Sequence, residues 1–79
     1  MAKHNIAIYN QFIHDMQDVM NEDEQTLQTS VNKTVESVEK DDTYSTSAKL
    51  NIYASLSSLC NCEVKERSKW VKKAAKRLK

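Results

Sequence analysis

Residues 63–79 read EVKERSKWVKKAAKRLK, and this stretch decides how the end of the fold is built. It holds eight of the 12 basic residues and two acidic ones, a net charge of +6, whereas residues 1–62 hold four basic and nine acidic residues, a net charge of −5. The formal net charge of +1 therefore conceals a bipolar molecule. A cationic segment this short and this dense favours a contact surface at one end of the chain.

The composition of the whole chain favours helices. Its 79 residues are enough for one small domain, residues 1–79, with one modest core. Neither glycine nor proline occurs, although tight β-hairpin turns depend on glycine, and nothing in the chain is a strong helix breaker. We therefore predict an all-α fold, a small bundle of three to four helices at about 5–20, 22–40, 44–60 and 62–79.

The first two predicted helices differ in how much apolar surface they offer. The first has the wide apolar face of an amphipathic helix, formed by Ile6, Tyr9, Phe12, Ile13, Met16, Val19 and Met20. Asn21 is a good N-cap for the second helix, and Glu24 completes a pattern like a capping box. The second helix has a stripe one residue wide, formed by Leu27, Val31, Val35 and Val38.

The boundary between the last two predicted helices is open. Ser45, Thr46 and Ser47 are N-cap candidates for the third helix, and Leu50 falls off its apolar stripe. Asn61 indicates a boundary between two helices. A near-heptad spacing that continues past Asn61 indicates a single helix instead, and its members are Tyr53, Leu56, Cys60, Val64, Arg67, Val71, Ala74 and Leu78. Either the chain forms four short helices, or the last helix, which is basic, continues the third as one helix of about 50 Å.

The predicted core draws on all these apolar stripes. Its members are Ile6, Tyr9, Phe12, Ile13, Met16, Leu27, Val31, Val35, Ile52, Tyr53, Leu56, Leu59 and Val71.

Few residues in the sequence suggest chemistry. Without glycine there is no phosphate-binding loop, no dinucleotide fingerprint and no nucleophile elbow. The four candidate zinc ligands, His4, His14, Cys60 and Cys62, lack the usual metal-ligand spacing. We expect a chain that is not an enzyme, with no catalytic residue, no metal, no cofactor and no small-molecule substrate.

The sequence has no apolar run long enough for a transmembrane helix and no secretory signal. It therefore predicts a cytoplasmic protein.

The basic segment is the candidate contact surface. The residues expected to touch a partner are Lys65, Arg67, Lys69, Trp70, Lys72, Lys73, Lys76, Arg77 and Lys79. Four interpretations of this helix stay open. In the first, the helix closes the bundle, and its lysines are solvated or lie beside the chain's own acids. In the second it binds the phosphates of a nucleic acid, and in the third it docks on a protein partner with Trp70 as an apolar anchor. In the fourth it lies on a membrane surface, which its alanines favour least because they offer little apolar area.

We expect a small regulatory or interaction protein that binds a protein or a nucleic acid through this helix. The alternative is a self-associating, coiled-coil-like structural protein, a homo-oligomer in which another copy completes the narrow stripes. In size and helix-only composition the chain resembles phage- or mobile-element-encoded accessory or inhibitor proteins, although no motif carries that resemblance.

Overall fold

The computed structural model describes residues 6–79, and within this range the chain forms four α-helices and no strand. The helices are α1 Ile6–Asp15, α2 Glu24–Lys40, α3 Thr46–Asn61 and α4 Arg67–Leu78. Single turns of 3-10 helix follow α1 at Val19–Asn21 and precede α4 at Val64–Glu66. The prediction of a small all-α bundle is confirmed.

The first helix ends earlier than its apolar spacing predicted. After Asp15 the backbone tightens: the Val19 N–H donates to the Met16 carbonyl, and the Asn21 N–H donates to the Asp18 carbonyl. This 3-10 turn keeps Met16 and Val19 buried while it ends the helix.

The N-cap of α2 is Asp23, and the predicted cap at Asn21 is wrong. The Asp23 carboxylate accepts a hydrogen bond of 2.7 Å from the Thr26 N–H, whereas the Asn21 amide donates to the Asp18 carboxylate at 2.8 Å. Asp23 has the extended backbone that an N-cap requires.

The third and fourth helices are separate. Ser45 caps α3 by accepting from the Ala48 N–H at 3.1 Å. After Asn61 the residues Cys62 (φ −83°, ψ 168°) and Glu63 (φ −67°, ψ 153°) are extended, which excludes one continuous helix. The break turns α4 back onto α3, its most extensive neighbour.

The helices share one core whose members come from all four of them. The buried apolar residues are Ile8, Phe12, Met16, Val19, Leu27, Val31, Val38, Tyr44, Ile52, Leu56, Leu59, Ala74, Ala75 and Leu78. Both α2 and α4 pack against α1 and α3, and they make little contact with each other. They therefore lie on opposite sides of the bundle.

Every predicted core residue except Ile6, at the start of α1, is buried or partly buried in the structure. Ile6 is 57% exposed, because the buried face of α1 runs through Ile8, Phe12 and Met16 at intervals of four residues. Leu50 is exposed, as its position off the stripe predicted. The remaining predicted members that are only partly buried against the core are Tyr9, Ile13, Val35, Tyr53 and Val71.

Candidate interaction surface

One side of α4 is buried and the other is cationic. Its buried residues are Arg67, Ala74, Ala75 and Leu78. Its exposed cations occupy an arc of roughly 140° on the opposite side, given 3.6 residues per turn. Together with one residue from the preceding turn and one after the helix, they form the basic face: Lys65, Lys69, Lys72, Lys73, Lys76, Arg77 and Lys79.

The charges of the basic face are not neutralised by the chain's own acids. In the described part of the chain, the two ion pairs within 4.0 Å join His14 to Asp15 and Lys40 to Glu36, and neither involves the basic face. The position of α4 opposite α2 accounts for the acids of that helix, Glu24, Glu36 and Glu39, which lie across the bundle.

Arg67 does not belong to the basic face, although the sequence placed it among the contact residues. It is 4% exposed, and its Nη1 donates hydrogen bonds of 2.8 Å to the carbonyl oxygens of Val19 and Glu22. Its side chain therefore ties the start of α4 to the turn after α1 and is not available to a partner.

Trp70, the predicted apolar anchor, packs partly against the core. Lys73 Nζ lies 4.7 Å and Lys69 Nζ 5.8 Å from the centre of its ring. These cation–π distances place two cations of the basic face beside the exposed part of the indole.

A groove between α1 and α4 adjoins the basic face. It encloses about 300 Å³ and is lined by Tyr9, Ile13, Val71, Lys72, Ala75, Lys76 and Lys79. Lys79 Nζ lies 5.3 Å from the centre of the Tyr9 ring. The sequence assigned Tyr9, Ile13 and Val71 to the core and did not predict that their free sides line a groove; only the mutual placement of two helices distant in sequence shows it.

The two cysteines are free thiols near the break between α3 and α4. Burial raises the pKa of the Cys60 thiol, the nearby Cys62 adds to this rise, and Arg67 opposes it. The Cys62 thiol donates to the Leu59 carbonyl at 3.3 Å. Across residues 6–79 no three His, Cys, Asp or Glu side chains are grouped as metal ligands, and His4 lies outside the described residues.

No helix in the described range is both long enough and apolar enough to cross a bilayer. Comparison of the chain with protein-family models, with curated proteins and with solved structures finds no match.

Proposed function

We propose that this chain is a small non-enzymatic interaction protein that binds an anionic macromolecule through the basic face. The observation that carries the proposal is the set of seven exposed cations, none of which pairs within 4.0 Å with an acidic side chain of residues 6–79. Like charges three and four residues apart on a helix repel each other, as Lys69, Lys72, Lys73 and Lys76 do. An anionic partner relieves that repulsion, so binding and charge compensation are favourable together.

The side-chain chemistry supports binding over catalysis. The raised pKa of Cys60 keeps its thiol protonated, which is the opposite of an activated nucleophile. The basic face has six lysines and one arginine, and lysine acts as a point charge suited to phosphate or carboxylate groups without fixed geometry. A protein of this kind acts by occupying a surface of its partner, as an accessory or inhibitor protein does. The cytoplasmic location stays a prediction.

The test replaces lysines without removing the helix. Deleting α4 would remove Arg67, Ala74, Ala75 and Leu78 from the interior, so a loss of binding would only report unfolding. The triple variant Lys69→Gln, Lys72→Gln, Lys76→Gln keeps good helix formers on α4. Its matched control, Lys33→Gln, Lys40→Gln, Lys49→Gln, removes the same charge from α2 and α3.

Binding is measured by fluorescence anisotropy with three probes: duplex DNA, single-stranded RNA and an acidic peptide. We expect at least one probe to bind with an affinity that falls as salt rises. The α4 triple variant should lose about tenfold in affinity and the control triple variant far less. Equal losses in the two variants, or no binding of any probe, would contradict the proposed function.

A further inference from the structure

The groove between α1 and α4 combines two properties that the basic face alone lacks. Its floor is apolar, and its cations all come from one side, α4. We propose that this groove seats an amphipathic helix of an acidic protein partner, with the apolar stripe of that helix on Tyr9, Ile13 and Val71. This inference rests on the proposed function and names the class of its partner.

The apolar floor is long enough for a helix. Tyr9, Ile13 and Val71 pack against the core on one side and line the groove on the other. Ile6 is 57% exposed and lies three residues before Tyr9, so by helical spacing it extends the same face of α1 toward its start. The interval from Ile6 to Ile13 covers about 10 Å of helix, or two turns.

The charges along the groove have the spacing of a helix face. Lys72, Lys76 and Lys79 lie at intervals of four and three residues, so a helix laid alongside can present carboxylates to them in register. No Asp or Glu side chain lines the groove among the described residues. Apolar anchors with complementary flanking charge are the basis of helix-in-groove recognition.

The groove suits nucleic acid less well. A phosphate backbone gains nothing from an apolar floor, and stacking of bases needs an open aromatic face. The Tyr9 ring has Lys79 Nζ at 5.3 Å from its centre, and Trp70 packs partly against the core. A protein segment therefore uses both properties of the groove, whereas a nucleic acid uses only the charge.

The test compares two peptides of identical composition. One has about 15 residues, long enough to become helical when bound, with leucines at helical spacing and glutamates beside them. The other is its scrambled isomer, which has the same charge. We expect the amphipathic peptide to bind about tenfold more tightly than its isomer.

The double variant Ile13→Ala, Val71→Ala should remove most of that tenfold preference and leave binding of the scrambled peptide unchanged, because no charge changes. Leu50→Ala is the matched control, since Leu50 is an exposed leucine on the outer side of α3. Circular dichroism establishes that each variant is folded. Methyl chemical shifts in the unaltered protein give an independent readout. The amphipathic peptide should change the methyl resonances of Ile13, Val71 and Ala75 and leave those of Leu50 unchanged.

Equal affinity for the two peptides, or methyl shifts that avoid the groove, would overturn the inference. The inference would also be overturned if duplex DNA bound more tightly than the amphipathic peptide and the double variant did not change that binding. The proposed function would then still hold. A different result would contradict the proposed function: equal affinity of the α4 triple lysine variant and its control triple variant for every probe.

Discussion

The Tyr44 hydroxyl joins two parts of the chain that are 34 residues apart. It is buried before α3 and donates a hydrogen bond of 2.7 Å to the carbonyl of Leu78, in the last turn of α4. Carbonyls at the end of a helix have no partner within it, so the tyrosine satisfies a group that would otherwise be buried without one. Burial, with a smaller contribution from Asp41, raises the pKa of Tyr44 to about 12.

Replacing Tyr44 by Phe should lower the free energy of unfolding by about 1–2 kcal/mol at neutral pH, because the Leu78 carbonyl loses its donor. The pKa of Tyr44 in the folded state lies above the usual 10.0. Its stabilisation is therefore complete below pH 10 and is lost as the pH rises toward about 12. Urea unfolding should show that the difference in the free energy of unfolding between wild type and Tyr44→Phe becomes smaller across this pH range.

Tyr53→Phe provides the comparison for Tyr44→Phe. Tyr53 is only partly buried, and no other residue of the described range 6–79 makes a hydrogen bond to its hydroxyl. Burial and the charge of Glu39 raise the pKa of Tyr53 as well, so alkaline pH affects both residues. An equal loss of stability at neutral pH in the two variants would contradict the role of the Tyr44 hydrogen bond.

At the scale of elements, the sequence predicts three to four helices and locates the helical segments, but it does not fix the helix ends or the break between the third and fourth helices. Apolar spacing identifies each helix because burial of one face produces it. The spacing from Tyr53 to Leu78 is the same whether the helix runs straight against another chain or folds back on its own, so it cannot locate the break at Cys62 and Glu63. The structure shows what the folded-back arrangement does for Arg67, a cation within that apolar spacing: it supplies the Val19 and Glu22 carbonyls as hydrogen-bond acceptors.

Replacing Arg67 by Met should therefore separate the start of α4 from the turn at Val19–Asn21. The methionine keeps the apolar stem, but two charge-assisted hydrogen bonds are lost, of which one is buried and the other partly buried. Because removal of the buried charge offsets part of that loss, we expect a decrease of about 2–3 kcal/mol in the free energy of unfolding, measured in urea. Arg77→Met changes an exposed position on the same helix and serves as the control. An equal decrease in the free energy of unfolding in the two variants would contradict a stabilising role for the Arg67 hydrogen bonds.

At the scale of the whole molecule, α2 and α4 lie on opposite sides of the bundle, and this keeps the basic face away from the acids of α2. The sequence predicted the basic segment because charge density is a property of composition. It did not predict that Arg67 turns inward or that a groove forms beside Lys72, Lys76 and Lys79. Those features depend on how helices distant in sequence pack, which single-chain periodicity does not encode.

The same packing bears on self-association, the alternative function. That alternative needed the narrow stripes of the second and last helices to be unfilled, but Leu27, Val31 and Val38 are buried inside the chain, as are Ala74 and Leu78. The other members of the stripes are less covered: Val35 and Val71 are partly buried, and Val64 is exposed. The exposed large apolar residues lie on four different elements: Ile6, Met20, Leu50 and Val64. Ile6 extends the groove between α1 and α4, whereas Met20, Leu50 and Val64 are separate from it, and scattered exposed residues favour a monomer over a stable dimer.

We therefore expect one monomeric species in sedimentation at two protein concentrations about tenfold apart, in about 0.15 M salt. Lowering the salt is the informative control, because unscreened attraction between the basic face of one copy and the acids of another favours head-to-tail contact. Association that appears only at low salt is electrostatic and does not require an apolar interface. A concentration-dependent mass at about 0.15 M salt would contradict the monomer and require an apolar interface, for which the groove between α1 and α4 is one available surface.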